Sequence, residues 1–281
     1  MDAEKRPQST PEVLPLAATF TPRSLVALSL GVALLFVIAL FLLSRKKTKS
    51  RGNTFLLVGP PDAGKTSIIS QLAYAQTLPT QTSMQTNSSV ISLSPKKSIR
   101  VVDVPGHARL RNQFQEYLPD AKVIGFVVDA NTVSRNAPAV AEHLHYVLHA
   151  LTSLPPSQPQ PALLIIAHKS DLFKSTSSAQ TSASALAVNR VKAILERELE
   201  KRRVSQSGGI NVEGLGEEGE RSDLGGLECG EKEGSAFKFD EWEAGEITFI
   251  GTSIVSNTST TAEKSASSSL EPLWDYLVEI M

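Results

Sequence analysis

Eight consecutive residues, Gly59-Pro60-Pro61-Asp62-Ala63-Gly64-Lys65-Thr66, match the pattern G-x-x-x-x-G-K-[ST], whose chemistry is the gripping of a polyphosphate. The two glycines let the backbone curl until successive N–H groups point inward at one anion, and the helix that follows presents its positive end to the same point. In such a loop Lys65 bridges the β- and γ-phosphate oxygens and the Thr66 hydroxyl ligates Mg²⁺. Gly59, Asp62, Ala63, Gly64, Lys65, Thr66 and Ser67 are therefore the candidate phosphate-binding residues. The setting strengthens the match. An apolar run, Thr54 to Val58, precedes it as a buried strand would, and Ile68, Ile69, Leu72 and Ala73 follow near helical spacing. A nucleoside triphosphate is the implied ligand.

Three further clusters bear on that ligand. Asp103-Val104-Pro105-Gly106 ends a Val-rich run, where an Asp reaches Mg²⁺ through water and a Gly N–H contacts the γ-phosphate. A loop that touches the γ-phosphate should change conformation on hydrolysis. His168-Lys169-Ser170-Asp171 is similar to the N-K-x-D guanine motif of GTPases, departing only at its first residue. A carboxylate at Asp171 accepts from the guanine N1–H and 2-amino group, and adenine has no such pair of donors. Lys169 can lie along the base and pack on the phosphate loop, while His168 can still offer a ring N–H toward N7. Gly251-Thr252-Ser253 follows the last apolar run, so the N–H groups of Thr252 and Ser253 could meet the guanine carbonyl.

Positioning these residues takes strands and helices in alternation. Ile99 to Val104, Val123 to Val128, Leu163 to Ala167 and Ile247 to Ile250 are continuous Val/Ile-rich runs, as in parallel strands covered on both faces. Helix patterns occupy Lys65 to Gln76, Ala139 to Leu154, Ala183 to Arg203 and Leu270 to Met281. The alternation predicts an α/β fold with a mostly parallel, doubly wound sheet. Val90 to Leu93 is expected to pair with Ser98 to Val102 as a hairpin across Ser94-Pro95-Lys96-Lys97. Ser175 to Ser184, the Gly/Glu-rich insert Val204 to Gly234 and Asn257 to Ser269 read as surface segments too poor in large apolar residues to pack. Within the insert, Cys229 is expected to be a free, exposed thiol. His143, His145 and His149 are expected to line a helix surface, and Arg109 and Arg111 to be exposed residues that meet a partner or lie on a solvated helix face.

The chain has 281 residues, 41% hydrophobic, with a net charge of −1 that implies no general attraction to nucleic acid. A single cysteine excludes an internal disulfide framework and suits a reducing compartment. Ser24 to Leu43 carries no charge and would form a helix about 30 Å long, the thickness of a bilayer core. A secretory signal peptide is the rival, but those have apolar cores of roughly 7–15 residues and a small-residue cleavage site. Arg45, Lys46, Lys47, Lys49 and Arg51 follow instead and outnumber Lys5, Arg6 and Arg23, which places the C-terminal side in the cytosol. The expected organisation is a lumenal, disordered tail (1–23), a transmembrane helix (24–43), a basic linker (44–52) that stops transfer and can attract anionic lipid, and a cytosolic GTPase domain (53–281).

With these residues in hand, the chain resembles the β subunits of the signal recognition particle receptor, membrane-anchored small GTPases related to the Arf and Sar branch. The features that carry the resemblance are an N-terminal apolar span joined almost directly to the phosphate-loop strand, and Thr80-Gln81-Thr82-Ser83, which looks like the first switch segment. The resemblance implies a small-GTPase fold and a GTP/GDP and Mg²⁺ site in which Thr82, or else Thr80 or Ser83, completes the metal shell in the GTP state. It implies residence in the endoplasmic reticulum membrane, a complex with the receptor's α subunit in the GTP form, and recruitment of ribosomes to the translocon. His107 stands where Ras-like enzymes carry the Gln that orients water, and His does this in the Sar branch, so slow intrinsic hydrolysis is expected. The rivals are an anchor that holds nucleotide without a cycle, an Arf/Sar-like trafficking GTPase, and an ATP-using transport or kinase protein that Asp171 argues against.

Overall fold

The computed structural model describes residues 31–33, 36, 52–76, 79–95, 97–156, 158–173, 182–207, 225–229, 236–254 and 270–281. It divides into two units, Met1–Lys49 and Ser50–Met281. Of the first unit, 31–33 and 36 are described; they are helical and exposed. The predicted tail, the basic linker apart from Gly52 and most of the predicted span Ser24 to Leu43 lie outside the described residues. Among the described residues no helix is long and apolar enough to cross a membrane.

The second unit is built on strands β1 (Thr54–Val58), β2 (Asn87–Ser94), β3 (Lys97–Asp103), β4 (Ala121–Asp129), β5 (Ala162–His168) and β6 (Ile247–Gly251). Helices α1 (Lys65–Tyr74), α2 (Phe114–Tyr117), α3 (Ala137–Thr152), α4 (Ala183–Ser207) and α5 (Glu271–Ile280) join or flank them. The sheet order is β2-β3-β1-β4-β5-β6. Every pairing is parallel except β2 with β3, the predicted hairpin, in which β2 begins earlier than expected, with Asn87 opposite Asp103.

Continuous apolar strands work because both faces are covered. Alternate side chains point to opposite faces. Leu56, Val102, Ile124, Phe126 and Ile165 face one core with Leu144 and Leu148 of α3 and Leu195 and Leu199 of α4. Phe55, Leu57, Val101, Val123 and Ile166 face the other with Ile68 of α1 and Leu273 and Leu277 of α5. Each such side chain, once fully buried, contributes about 1.5–3 kcal/mol of hydrophobic stabilisation. This places the carboxyl ends of β1, β3, β4, β5 and β6, and the loops that follow, at one edge of the sheet.

Four expectations are corrected here: the surface insert, the exposed Cys229, the surface histidines and the free Arg111. The insert is not surface throughout: α4 runs on to Ser207, and Leu227 and Cys229 are buried with Phe237, Phe239 and Trp242. Cys229 pairs in antiparallel fashion with Trp242, and its thiol donates to the Lys238 carbonyl at 3.3 Å. The three aromatics just past the insert's C-terminal limit supply the apolar surface that Gly and Glu lack. The Glu200 carboxylate accepts the Phe237 N–H at 2.7 Å, fastening this limb to α4. Residues 208–224 and 230–235, like most of Ser175 to Ser184 and all of Asn257 to Ser269, lie outside the described residues.

His143 and His145 are buried, not lined along a surface. His143 stacks edge-on to Phe126 at 5.4 Å, and burial together with the Arg111 and Lys65 charges lowers its pKa to about 3, so it stays neutral. His145 and His149 both reach the Gly225 carbonyl, at 3.3 and 3.2 Å. Arg111 is likewise not a free surface residue, for it pairs with Glu142 of α3 and lies 4.5 Å over the Tyr146 ring.

Candidate functional site

The β1–α1 turn adopts the curl its glycines allow. Gly59, Asp62 and Gly64 have φ of 145°, 60° and 99°, and α1 begins at Lys65 directly after Gly64. The loop borders a pocket of about 250 Å³ lined by Asp62, Gly64 to Ser67, Thr80 to Ser83, Gly106 and Lys169. Four separate pieces of sequence thus meet at one place, and all four had been singled out as candidates.

Lys65 is buried, and its ammonium donates to the Gly59 and Pro60 carbonyls, each at 2.9 Å. Burial lowers its pKa to about 8, against the opposing pull of Asp103 and Asp62. The Thr66 hydroxyl donates to Asp103 Oδ2 at 2.6 Å and lies 2.9 Å from Ser83 Oγ. Asp103 is fully buried, and burial raises its pKa although Thr66, Lys65 and Ser83 pull it down. Its second oxygen, Oδ1, is buried without a hydrogen-bond partner. An orphaned buried carboxylate oxygen beside two hydroxyls is a set of hard oxygen donors suited to Mg²⁺ and its waters, so the residues present fit that ion.

The segment Thr80 to Ser83 is stitched to the loop by all three of its hydroxyls. Thr80 meets Ser67 at 3.0 Å, Thr82 donates to Asp62 Oδ1 at 3.0 Å, and Ser83 meets Thr66. Of the three, Ser83 stands closest to Thr66 and Asp103. Gly106 lies against the phosphate loop, and a Cβ there would fall 2.5 Å from Gly59 O, Pro60 C and Pro61 N. His107 is exposed, and its Nδ1 accepts the Arg109 N–H at 3.3 Å.

On the other flank, β5 ends at His168, which is buried with Nδ1 2.9 Å from Thr252 Oγ1. A Cβ on Gly64 would sit 2.4 Å from the His168 ring, so the imidazole occupies the space that glycine leaves. Burial and the Lys169 charge lower its pKa to about 4, against the Asp129 carboxylate, and keep the ring neutral. Lys169, at φ 60°, donates to Asp62 O at 2.8 Å and to Asp129 Oδ2 at 2.7 Å, packing onto the phosphate loop as expected. Thr252 bonds back to β5 through its N–H to Ala167 O at 2.9 Å, and the Ser170 N–H donates to Thr252 O at 3.1 Å. Ser253 is buried and Asp171 exposed. Asp129 was missed from the sequence. Its position at the end of β4, a strand end like that of Asp103, was the available signal.

Comparison with known proteins bears on this geometry. The family model described as the signal recognition particle receptor beta subunit matches residues 50–245. The chain belongs to that family. Among curated relatives, the rat receptor subunit beta is 33% identical over 181 residues, covering 63% of this chain and 61% of its own length. The Dictyostelium discoideum subunit is 29% identical over 199 residues, 70% of this chain and 62% of the relative. The chain thus spans about three fifths of the length of the relatives it matches.

A solved structure of the mammalian SRP receptor superimposes with a TM-score of 0.58 and 26% identity over 81% of this chain and all of that one. The Chaetomium thermophilum structure described as the SRb-GTP/SRX complex gives 0.54 at 18% identity, over 81% of this chain and 100% of that one, a likeness of fold. The fold is the α/β small-GTPase fold with a mostly parallel sheet.

Proposed function

We propose that this protein is a GTP-binding, membrane-anchored subunit of the signal recognition particle receptor that recruits the α subunit in its GTP form for cotranslational targeting to the endoplasmic reticulum. The observation that carries the nucleotide part is the cluster of the half-buried Thr66 and Ser83 hydroxyls on the buried Asp103, with Asp103 Oδ1 left unpartnered beside a desolvated Lys65. Gly59 and Asp62 to Ser67 would hold the phosphates of GTP or GDP. Thr66 and Ser83, or Thr82, would ligate Mg²⁺, with Asp103 reaching it through water. When bound, the ion neutralises phosphate charge. Gly106, set against the phosphate loop, would register the γ-phosphate. His168, Lys169, Asp171, Thr252 and Ser253 would enclose guanine. The SRX complex of the Chaetomium relative supports an α-subunit partner.

The apolar span Ser24 to Leu43 and its basic flank support a single-pass anchor with the GTPase domain in the cytosol and membrane lipid as one partner, while the ribosome or translocon as another is implied by the family resemblance alone. The test is affinity of the full chain for the α subunit with GTP, GDP and no nucleotide. Preference for the GTP form is expected, and equal affinity in all three states would remove the switch. A second reading, nucleotide held without a cycle, draws on His107, whose Nδ1 accepts the Arg109 N–H two residues on. Single-turnover hydrolysis by the full chain and by H107A decides between them.

A further inference from the structure

Asp129 belongs to no motif, yet it stands where the base-side loop is tied down. It ends β4 in direct register with His168, and the Ala130 N–H donates to the His168 carbonyl at 3.0 Å. Its Oδ1 accepts the N–H groups of Asn131 and Thr132 at 2.9 and 3.1 Å, closing the turn that leads to α3. Its Oδ2 accepts from the Lys169 ammonium at 2.7 Å, and that ammonium also donates to Asp62 O on the phosphate loop at 2.8 Å. Burial works against ionising Asp129, but the Lys169 ammonium and the two N–H groups outweigh it and hold the carboxyl below its ordinary range.

Lysine has the most rotamer freedom of the side chains near this pocket, and here its backbone is also in a left-handed conformation that lysine does not favour. Two fixed points on different loops hold the whole side chain in one arrangement before any ligand arrives. Such preorganisation lowers the ordering cost of binding and shows itself mainly in the off-rate.

We propose that Asp129 is a positioning residue for the nucleotide, tethering Lys169 across the phosphate loop so that its stem forms a fixed shelf beside the base, and thereby lengthening nucleotide residence. This rests on the guanine-nucleotide reading of the site.

Asp129→Asn separates this role from the turn. The amide oxygen still accepts from Asn131 and Thr132, while the NH₂ group faces the Lys169 ammonium as donor to donor. Release of mant-GDP from the full chain in detergent, with excess GDP and Mg²⁺, is measured for wild type, D129N, Lys169→Met and the double variant, with melting temperature alongside. The expected result is release at least fivefold faster in D129N at a melting temperature within about 2 °C of wild type, and less than a twofold change when D129N is added to K169M. A smaller acceleration, or an equal factor in both backgrounds, overturns the proposal. Asp129→Ser, whose hydroxyl also caps the turn, carries the same reading should D129N not fold. A wild-type chain that retains no mant-GDP would overturn the guanine-nucleotide reading itself, a failure distinct from unchanged release in D129N.

Discussion

Ser83 Oγ lies 2.9 Å from Thr66 Oγ1, the hydroxyl that in turn donates to Asp103 Oδ2 at 2.6 Å. The neighbouring Thr82 is occupied elsewhere, donating to Asp62. In this arrangement Ser83 is the switch hydroxyl nearest the Mg²⁺ position. Ser83→Ala should raise the Mg²⁺ concentration needed to retain a non-hydrolysable GTP analogue about tenfold, the cost of roughly 1.4 kcal/mol for one oxygen ligand. Thr82→Ala should change it less than twofold. Nucleotide release across a Mg²⁺ titration measures both, and the reverse order would return the role to Thr82.

Lys65 should make nucleotide affinity depend on alkaline pH. Its pKa of about 8 in the fold lies below its ordinary 10.5, so the unfolded chain holds the proton more tightly between those values. Stability of the nucleotide-free protein therefore rises with pH across that window, while below about 8 the cost of burying the ammonium is fully present. Phosphate needs the ammonium. GDP affinity should fall toward tenfold per pH unit above 8, read by titration between pH 7 and 9.5. A flat profile would mean that Lys65 stays charged throughout.

His168 should act in the opposite range. Its pKa falls from 6.5 to about 4, so as pH drops through that window the unfolded chain takes up a proton that the native ring refuses. Stability is lost at roughly 1.4 kcal/mol per pH unit in the steep part. His168→Asn, which cannot titrate, should narrow the gap between melting temperatures at pH 7 and pH 5. Since His143 has the same sign, the comparison must be made between the two chains at each pH. An unchanged gap would detach the acid sensitivity from this residue.

Gly64 and His168 are complementary shapes. Gly64→Ala would place a methyl 2.4 Å from the ring at φ 99°, and should cost about 2 kcal/mol or more and release nucleotide. Thermal melting and GDP binding check this together. Retention of both would show that the ring moves aside without cost.

Cys229 should resist thiol reagents in the folded protein. It is 6% exposed, and burial raises its pKa despite the Lys238 carbonyl and the Arg203 charge. Labelling by a disulfide reagent should be slow in buffer and fast in denaturant, and Cys229→Ser should lower the melting temperature by a few degrees. Rapid labelling of the native chain would place the thiol back on the surface.

The strands and helices were legible because continuous apolar runs and near-helical spacings need no partner to be recognised. The phosphate loop, Asp103-x-x-Gly106 and Lys169 were legible for a related reason: main-chain cradles and strand-end carboxylates follow from local backbone geometry. Cys229, His143 and His145 were misplaced because their surroundings are assembled from afar, by Phe237, Phe239 and Trp242 for the first and by Phe126 and the Gly225 carbonyl for the others. Periodicity on α3 cannot show that a second layer covers it.

The residues alone settled that a phosphate-binding loop sits between a strand and a helix, and that an uncharged span with a basic flank precedes it. Both are properties of contiguous segments, in which spacing dictates what the backbone can do. Only the tertiary structure decided that Ser83 stands beside Thr66, that His168 fills the space of Gly64, and that Asp129 holds Lys169. Each of these pairs residues at least 17 positions apart, brought together by the sheet order and the loops at its carboxyl edge, and no local pattern encodes such a meeting.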